Sequence, residues 1–326
     1  MRVLVWHVHG GWMDGFVRGP HEYLVPLTPG GGGRSGRDWP GNAIEVQLSE
    51  LADAGIDVVV AQRPEDVDDA RRLMRRTAPT VYVEHNTPRG VTPDARHPFA
   101  DRDDVVIAHV THVNRLLWDT GSTRTIVIEH GVPDPGPLYT GGLPRLGAVI
   151  NEPMRRWRVT GTDLLPAFAR AAPVDVFGID ADALDLETDV SSAGDLPPDR
   201  LHAELARRRA YIHPQRWTSL GLSLLEAMHL GMPVIALGMT EAFRAVPPGA
   251  GAVSSDVDEL VATARMLLAD PDEAAARGRV ARAFALEHYG LQRYLADWDV
   301  ALEEVIADSG GHRTASAVTI DRKERA

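Results

Sequence analysis

The stretch Tyr211–Ala236, YIHPQRWTSLGLSLLEAMHLGMPVIA, decides the fold because it contains a loop, a helix and a buried strand in succession. Thr218 and Ser219 offer the hydroxyl groups that cap helix N-termini. Apolar residues then recur at helical rather than alternating spacing until Gly231, which suits the left-handed backbone at a helix C-terminus. Residues 234–236, all apolar, predict a short buried strand directly afterwards.

One acidic residue interrupts this apolar helix. Glu226 lies beside Leu225 and within one turn of Leu222, so its carboxylate must be paired or must face a ligand. The loop Ser219–Leu222 is expected to point free backbone N–H groups outward at the helix N-terminus, where a phosphate binds well. Backbone amides of Gly221 and Leu222 that bind a phosphate, together with a Glu226 carboxylate that binds the ribose hydroxyls, make a nucleotide site. A solvated or salt-bridged glutamate explains the local spacing equally well.

Residues Ser219–Ala236 resemble the donor-binding signature of family-4 glycosyltransferases, which are retaining enzymes with the two-domain GT-B fold. That signature has a glutamate, seven residues, a second glutamate, then Ala-Met and later Gly-x-Pro-Val. Glu226-Ala227-Met228 and the run from Gly231 to Val234 match its second part. The first glutamate is replaced by Thr218, eight positions before Glu226, so the chain departs from the family at the reacting sugar.

Composition places the chain among ordinary globular proteins of two domains. Its 326 residues allow two domains of about 150 residues each. A formal net charge of −12 argues against nonspecific nucleic-acid binding. The absence of cysteine excludes disulfides and cysteine-based metal sites or nucleophiles. No apolar run approaches the ~20 residues of a membrane span, and the first residues read as a strand, so we expect a cytoplasmic protein.

Basic residues are distributed unusually, because Lys323 is the only lysine. A bound phosphate must therefore be held by arginines or backbone amides. Thr160 and the residues after it align with the Lys-Gly-x-x-Leu-Leu of the family, with threonine at the lysine position. Arg155, Arg156 and Arg158 lie just upstream and are the expected substitutes at the donor diphosphate. A surface charge cluster is the alternative interpretation.

The first 130 residues alternate strands and helices, which predicts a parallel sheet covered on both faces. The first strand, residues 2–8, leads to Gly11 at the carboxyl edge, where open α/β sheets bind ligands. The irregular stretch Pro26–Gly41, which contains Gly30–Gly33, is either a flexible insertion or a mobile loop that closes over the site. Residues 43–54 are expected to form a helix.

His85 follows the strand over residues 80–84 and matches the histidine that the family places near the transferred sugar. A hydrogen-bonded hinge residue is the alternative. Asp66-Val67-Asp68 resembles an Asp-x-Asp metal motif, yet it lies within the amphipathic helix over 65–76 rather than after a strand. We therefore assign no metal site.

A glycine- and proline-rich linker from Gly131 to Gly142 marks a domain boundary, and its turn is similar to the one that closes the N-terminal domain in the family. The expected fold class is α/β, with the two Rossmann-like domains of GT-B facing each other across a cleft. We expect an N-terminal acceptor domain over 1–140 and a nucleotide-sugar-binding domain over 141–290. Residues 291–308 are expected to form a helix that packs back on the first domain, followed by a disordered tail over 309–326.

The resemblance implies a hexosyltransferase-type enzyme that moves a sugar from a nucleotide sugar to an acceptor hydroxyl, with retention and without a metal or other cofactor. The acceptor is a glycan, a lipid-linked glycan or a secondary metabolite, with peripheral membrane contact in the lipid case, and the arginine-rich usage points to a bacterium. The expected reacting-sugar and leaving-group residues are His85, Arg156 and Arg158. The expected donor-binding residues are Gly11, Arg155, Ser219, Gly221, Leu222 and Glu226. A nucleotide-sugar epimerase and a noncatalytic nucleotide-sugar-binding subunit are the alternatives.

Overall fold

A computed structural model describes residues 1–28, 31–90, 94–186 and 188–315, with side chains through residue 309. Two sheets of predominantly parallel strands organise these residues. Each sheet has its own apolar core, and helices cover the faces of both sheets. The prediction of an α/β fold with two Rossmann-like domains is therefore confirmed.

The first sheet has eight strands in the order β3-β2-β1-β5-β6-β7-β8, and β4 pairs with β2. All pairings are parallel except that of β2 with β3. In chain order its elements are β1 (Arg2–Val5), α1 (Gly10–Phe16), β2 (Glu22–Thr28), β3 (Gly31–Gly32), β4 (Ala43–Gln47), β5 (Val58–Ala61), α2 (Pro64–Leu73), β6 (Thr80–Glu84), β7 (Val105–His109), α3 (His112–Leu117) and β8 (Thr125–Val127).

The second sheet has six parallel strands in the order β11-β10-β9-β12-β13-β14. Because parallel strands need crossovers, helices connect most of them. In chain order its elements are β9 (Leu143–Val149), α4 (Leu165–Ala169), β10 (Val174–Phe177), β11 (Val190–Gly194), α5 (Pro198–Leu205), β12 (Arg208–His213), α6 (Leu222–Leu230), β13 (Val234–Leu237), α7 (Ala242–Ala245), β14 (Gly251–Ser254), α8 (Val257–Ala269), α9 (Pro271–His288) and α10 (Leu291–Ala315).

Helix α6 and strand β13 form as the sequence predicts. Leu224, Leu225 and Met228 are fully buried, so the apolar spacing does report the core-facing side of α6. The helix ends at Gly231, whose φ of 87° is the left-handed value expected there. The predicted N-cap is wrong, because the residue preceding the first turn is Gly221, which has no side chain to cap the helix.

Helix α10 packs back onto the first domain, as expected. Tyr294, Trp298 and Leu302 are buried in the same cluster as Val3 and Val5 of β1. The helix continues to Ala315, so the predictions that it ends at 308 and that a disordered tail begins at 309 are wrong for residues 309–315. A helix already anchored in a core gains one backbone hydrogen bond for each added residue, which offsets the glycines at 310 and 311. Residues 316–326 lie outside the described part of the chain.

The strands of the first sheet fall within residues 1–140 and those of the second within 141–290, while the domain limits themselves stay a prediction. The predicted helix over 43–54 is wrong. Ala43–Gln47 is the outer strand β4, and a 3-10 helix follows it over Leu48–Asp53. In the irregular stretch, β2 extends to Thr28 and a two-residue strand covers Gly31–Gly32, while Gly30 lies outside the described residues.

Candidate functional site

The first turns of α1 and α6 meet where the two sheets face each other. A Cβ atom placed on Gly11 would lie 3.1 Å from Cδ1 of Leu222, so the predicted residues Gly11 and Leu222 do come together. Gly221 leaves the first N–H groups of α6 without a side-chain cap. Unpaired N–H groups and the positive end of the helix dipole make this position suitable for an anion.

Glu226 lies one turn into α6 and is only partly buried, with 26% of its side chain exposed. The nearest basic side chain given among the described residues is His202 on α5, whose Nε2 lies 3.7 Å from Oε2 of Glu226. The Nε2 atom of His202 is buried and makes no hydrogen bond to any described group. The Glu226 carboxylate thus keeps its hydrogen-bond acceptors available. Sequence spacing gave no indication of His202, because α5 and α6 are brought together only by the fold.

His85 directly follows β6 and packs against aromatic rings of the first domain. Its ring centroid lies 4.1 Å from that of His9 and 5.3 Å from that of Trp12. Burial, together with the nearby rings of His9 and His130, holds the pKa of His85 well below its usual value. Its Nε2 is buried and has no hydrogen-bond partner among the described residues. His85 is therefore a neutral imidazole with one ring nitrogen free for a ligand.

A buried histidine–carboxylate pair supports the turn that carries His85. His97 Nε2 lies 3.1 Å from Oε2 of Glu84, the last residue of β6. The Nδ1 atom of His97 accepts the N–H of Phe99 at 3.1 Å, so the ring proton resides on Nε2 and is donated to Glu84. The other carboxylate oxygen of Glu84 accepts the N–H of Asn86 at 2.7 Å. Glu84 and His97 thereby fix the backbone on both sides of His85.

Ser219 connects the domains instead of pointing its hydroxyl at a phosphate. Its Oγ donates to the carbonyl oxygen of His85 at 2.6 Å. Beside it, Trp217 Nε1 donates to the carbonyl oxygen of Pro88 at 2.8 Å. Thr218, at the position of the family's first glutamate, donates its hydroxyl to Gln215 at 2.6 Å. Neither predicted capping hydroxyl serves the first turn of α6.

A second bridge joins the domains at the start of α3. The backbone N–H of Val113 donates to Oε2 of Glu241 at 2.8 Å, and this glutamate is almost completely buried. Nearby, the Arg244 guanidinium forms hydrogen bonds of 2.8 and 3.0 Å with the two carboxylate oxygens of Glu129. The Arg244 hydrogen bond keeps the pKa of Glu129 low despite its burial. These contacts join the two domains beside the cleft.

The predicted arginines differ in their pairing. Arg155 forms an ion pair with Glu152, and Arg158 lies 3.1 Å from Asp163. Arg156 is half-buried and has no ion pair with any described residue. Burial lowers the pKa of its guanidinium. Arg156 is therefore the predicted arginine best placed to receive an external anion.

A cavity of about 500 Å³ opens beside Arg155, at the carboxyl end of β10. Its volume is within the range of small-molecule sites. Met154 and Ile179 provide apolar lining, and Asp180 and Asp195 provide acceptors. Asp66, from the Asp-x-Asp sequence, is instead buried and ion-paired with Arg63 at 2.7 Å. No group of three or more histidine or acidic side chains suited to a metal ion occurs in the described residues.

No helix in the described part of the chain is long and apolar enough to cross a membrane. The family model described as Glycosyl transferases group 1 matches residues 180–284, a region that includes α6 and Glu226. A comparison with curated protein sequences gives no match.

Solved structures with the same fold include sucrose-phosphate synthase from Thermosynechococcus elongatus, with a TM-score of 0.73, 14% identity and coverage of 94% of this chain and 100% of that chain. Alr3699/HepE of Anabaena in complex with UDP gives a TM-score of 0.68 and 14% identity, covering 93% of this chain and 99% of that chain.

A point mutant of S. aureus TarM, in complex with fondaparinux, alpha-GlcNAc-glycerol and UDP, gives a TM-score of 0.59 and 16% identity over 75% of this chain. This chain spans 55% of the length of that one. The protein thus has the two-domain GT-B fold of these structures, and its residues 180–284 match the family model of glycosyl transferases group 1.

Proposed function

We propose that this protein is a glycosyltransferase that moves a sugar from a nucleoside-diphosphate sugar to an acceptor hydroxyl, with retention and without a metal ion. The observation that carries the proposal is the arrangement of α6. Its uncapped first turn presents N–H groups at Gly221 and Leu222, and the free carboxylate of Glu226 lies one turn further in. This arrangement lies inside the region that matches glycosyl transferases group 1.

The donor is positioned by groups of complementary charge. The N–H groups at the start of α6 bind the diphosphate, and Glu226 accepts hydrogen bonds from the ribose hydroxyls. Negative charge develops on the leaving diphosphate in the transition state, and Arg156, which has no other ion partner among the described residues, stabilises that charge. Arg155 and Arg158 contribute positive potential from their paired positions nearby.

His85 supplies a neutral hydrogen-bonding group to the transferred sugar. The burial that lowers its pKa keeps it uncharged at pH 7, so it hydrogen-bonds hydroxyl groups without repelling the positive charge that develops at the anomeric carbon. Gly11 allows the first turn of α1 to approach Leu222, at the start of α6, closely. Arginines and helix N–H groups together replace a metal ion as the source of positive charge.

UDP is the first nucleotide to test, because TarM and Alr3699/HepE were both crystallised with it. The acceptor is a glycan, a lipid-linked glycan or a secondary metabolite in the bacterial cytoplasm. The purified protein is incubated with UDP-, GDP-, dTDP- and ADP-sugars and a panel of acceptors, and the released nucleotide and the glycosylated product are quantified. NMR of the product gives its anomeric configuration, and a parallel reaction in EDTA tests the requirement for a metal. Inversion, or complete loss of turnover in EDTA, contradicts the respective part of the proposal.

A noncatalytic nucleotide-sugar-binding subunit is the second candidate. It is favoured by Thr218, whose hydroxyl is engaged with Gln215 where the family has a carboxylate. Such a protein binds the nucleotide sugar but turns over no donor with any acceptor or with water. An epimerase, in contrast, interconverts the donor sugar without any acceptor. Measuring donor binding, donor conversion and acceptor glycosylation on the same sample separates all three functions.

A further inference from the structure

Three loops, one from the first domain and two from the second, meet at one end of the cleft. The carbonyl oxygen of Pro88, after β6, accepts the indole N–H of Trp217 at 2.8 Å. The carbonyl oxygen of Val159 accepts the N–H of Arg216 at 2.9 Å. A Cβ atom on Gly161 would lie 1.9 Å from the carbonyl oxygen of Pro214, so these two loops are packed backbone to backbone.

These loops carry several arginines, three of which form ion pairs within the protein. Arg155 is paired with Glu152. Arg216 forms hydrogen bonds of 2.5 and 2.9 Å with the carboxylate of Asp163, which also pairs with Arg158. Asp163 faces two guanidinium groups, so this cluster keeps a net positive charge, although each of its arginines already has a carboxylate partner. Arg158 and Arg216 are therefore committed to the protein itself.

Two arginines differ from this group, and they come from different domains. Arg89 follows Pro88 in the first domain, and Arg156 belongs to the second. Neither forms an ion pair with any residue that the structure describes. Burial lowers the pKa of the Arg156 guanidinium, and the positive charges of Arg155 and Arg89 lower it further against the opposing charge of Glu152.

Trp217 joins the loops of the two arginines, because its indole N–H donates to Pro88, next to Arg89, and its backbone N–H donates to the carbonyl oxygen of Val159 at 3.2 Å. The N–H of Val159 in turn donates to the carbonyl oxygen of Arg156 at 2.7 Å. The two unpaired charges therefore lie on adjoining loops, where their repulsion costs free energy in the folded protein. An anion bound between them removes that cost, since each guanidinium can form charge-assisted, bidentate hydrogen bonds to one phosphoryl group. Both loops border the cleft that α1 and α6 share. The chain has no structured lysine in the described residues that could take this role, because its single lysine is Lys323.

We propose that Arg89 and Arg156 form a two-arginine clamp that binds a phosphoryl group of the donor from both domains. The inference rests on the proposed function and adds to it a donor contact from the first domain. Because the two arginines belong to different domains, the clamp is complete only when the domains are close. Donor binding therefore also favours the arrangement in which Ser219 reaches His85.

The test compares Arg89→Ala with Arg76→Ala, a matched control. Both arginines are exposed and without an ion pair among the described residues, and both flank β6, but Arg76 precedes the strand and so lies at the opposite edge of the sheet. Titration calorimetry with UDP, GDP, dTDP and ADP first identifies the diphosphate that wild type binds. The affinities of that diphosphate and of its nucleoside are then measured for wild type, Arg89→Ala, Arg89→Lys and Arg76→Ala.

We expect Arg89→Ala to weaken diphosphate binding about tenfold, the loss of one charge-assisted contact, with nucleoside affinity unchanged. Arg89→Lys retains part of the affinity, and Arg76→Ala binds like wild type. In a double-mutant cycle, Arg89→Ala and Arg156→Ala are non-additive, because they contact the same group.

Equal diphosphate affinity for Arg89→Ala and Arg76→Ala overturns the clamp while the proposed function stands. If Arg89→Ala leaves the diphosphate affinity unchanged but raises the KM for the acceptor, the clamp is also overturned, because Arg89 then contacts an anionic group of the acceptor. Absence of any nucleotide binding by the wild-type protein overturns the proposed function and the clamp with it.

Discussion

The hydroxyl of Ser219 donates a hydrogen bond of 2.6 Å to the backbone carbonyl of His85, 134 residues earlier in the chain. This bond joins the loop before α6 to the end of β6, and so joins the two halves of the cleft. The carbonyl accepts its bond from the other domain, while the imidazole of the same residue keeps an unpartnered Nε2 among the described residues. His85 is therefore held by its backbone and available through its side chain.

Removing the Ser219 hydroxyl tests this bridge. We expect Ser219→Ala to lower the free energy of unfolding by about 1–3 kcal/mol, because the partly buried carbonyl of His85 loses its donor. The exposed Ser122, whose hydroxyl lies 3.3 Å from Asp101, serves as a control, and Ser122→Ala should change stability by less than about 0.5 kcal/mol. Urea unfolding followed by fluorescence provides both values. Equal effects of the two substitutions would show that the bridge contributes nothing to stability.

Glu226 is expected to contact the ribose and not the base or phosphates. Glu226→Gln should therefore weaken binding of the nucleoside diphosphate by about tenfold, through loss of a charged acceptor. The same substitution should leave the affinity for a 2′,3′-dideoxynucleoside diphosphate nearly unchanged. Titration calorimetry with both ligands checks the prediction, with exposed Glu287→Gln as the control. An equal loss for the normal and the dideoxy ligand would disprove the ribose contact.

Buried neutral histidines make stability depend on pH. Burial lowers the pKa of His130 to about 4, and burial lowers that of His109 to about 3. Each histidine binds a proton more readily when unfolded, where its pKa is near 6.5, so protonation favours unfolding. Their stabilising contribution is present above pH 6.5 and is lost as the pH falls toward 4, by up to about 1.4 kcal/mol per pH unit for each histidine.

Urea unfolding at pH 7, 6 and 5 measures this slope. His130→Asn removes one titrating group and should give a shallower decline between pH 6.5 and 5. His288→Asn, at an exposed position, should leave the slope of the wild-type protein unchanged. If the free energy of unfolding of His130→Asn depends on pH as steeply as that of the wild type, the lowered pKa of His130 is contradicted.

Gly161 is required by both backbone conformation and space. Its φ is 72°, and a Cβ atom would lie 1.9 Å from the carbonyl oxygen of Pro214. Gly136 has a φ of 91° but no atom within 4 Å of the position of a Cβ atom. Substituting Gly136 therefore measures the backbone strain without a steric clash. We expect Gly136→Ala to cost about 1–2 kcal/mol, the strain alone, and Gly161→Ala to cost clearly more. Thermal and urea unfolding of the two variants test the order, and equal costs would contradict it.

The sequence predicts best what is determined locally. Helix α6, its glycine C-cap and β13 follow from apolar spacing and one left-handed residue, so the 26 residues 211–236 are enough to predict them. The first turn of α6 was harder, because Ser219 has a typical capping side chain yet donates to a carbonyl in the other domain. Local capping preferences could not reveal that competing acceptor.

The remaining site features depend on contacts between distant segments. Strand β4 reads as a helix by spacing and becomes a strand only because the edge of β2 is free to pair with it. His202 approaches Glu226 through the packing of α5 on α6, and Arg89 approaches Arg156 through the loop that Trp217 holds. Residue type alone could identify these side chains as candidates, but it could not bring them together.

Helix α10 also has a consequence for the order in which the protein is made. A ribosome releases the first sheet long before the last helix, yet Tyr294, Trp298 and Leu302 complete the core beneath β1. The first domain therefore keeps part of its apolar interior uncovered until residues 291–302 have been translated. A ribosome stalled before residue 291 leaves a nascent chain that exposes this surface for chaperones to cover.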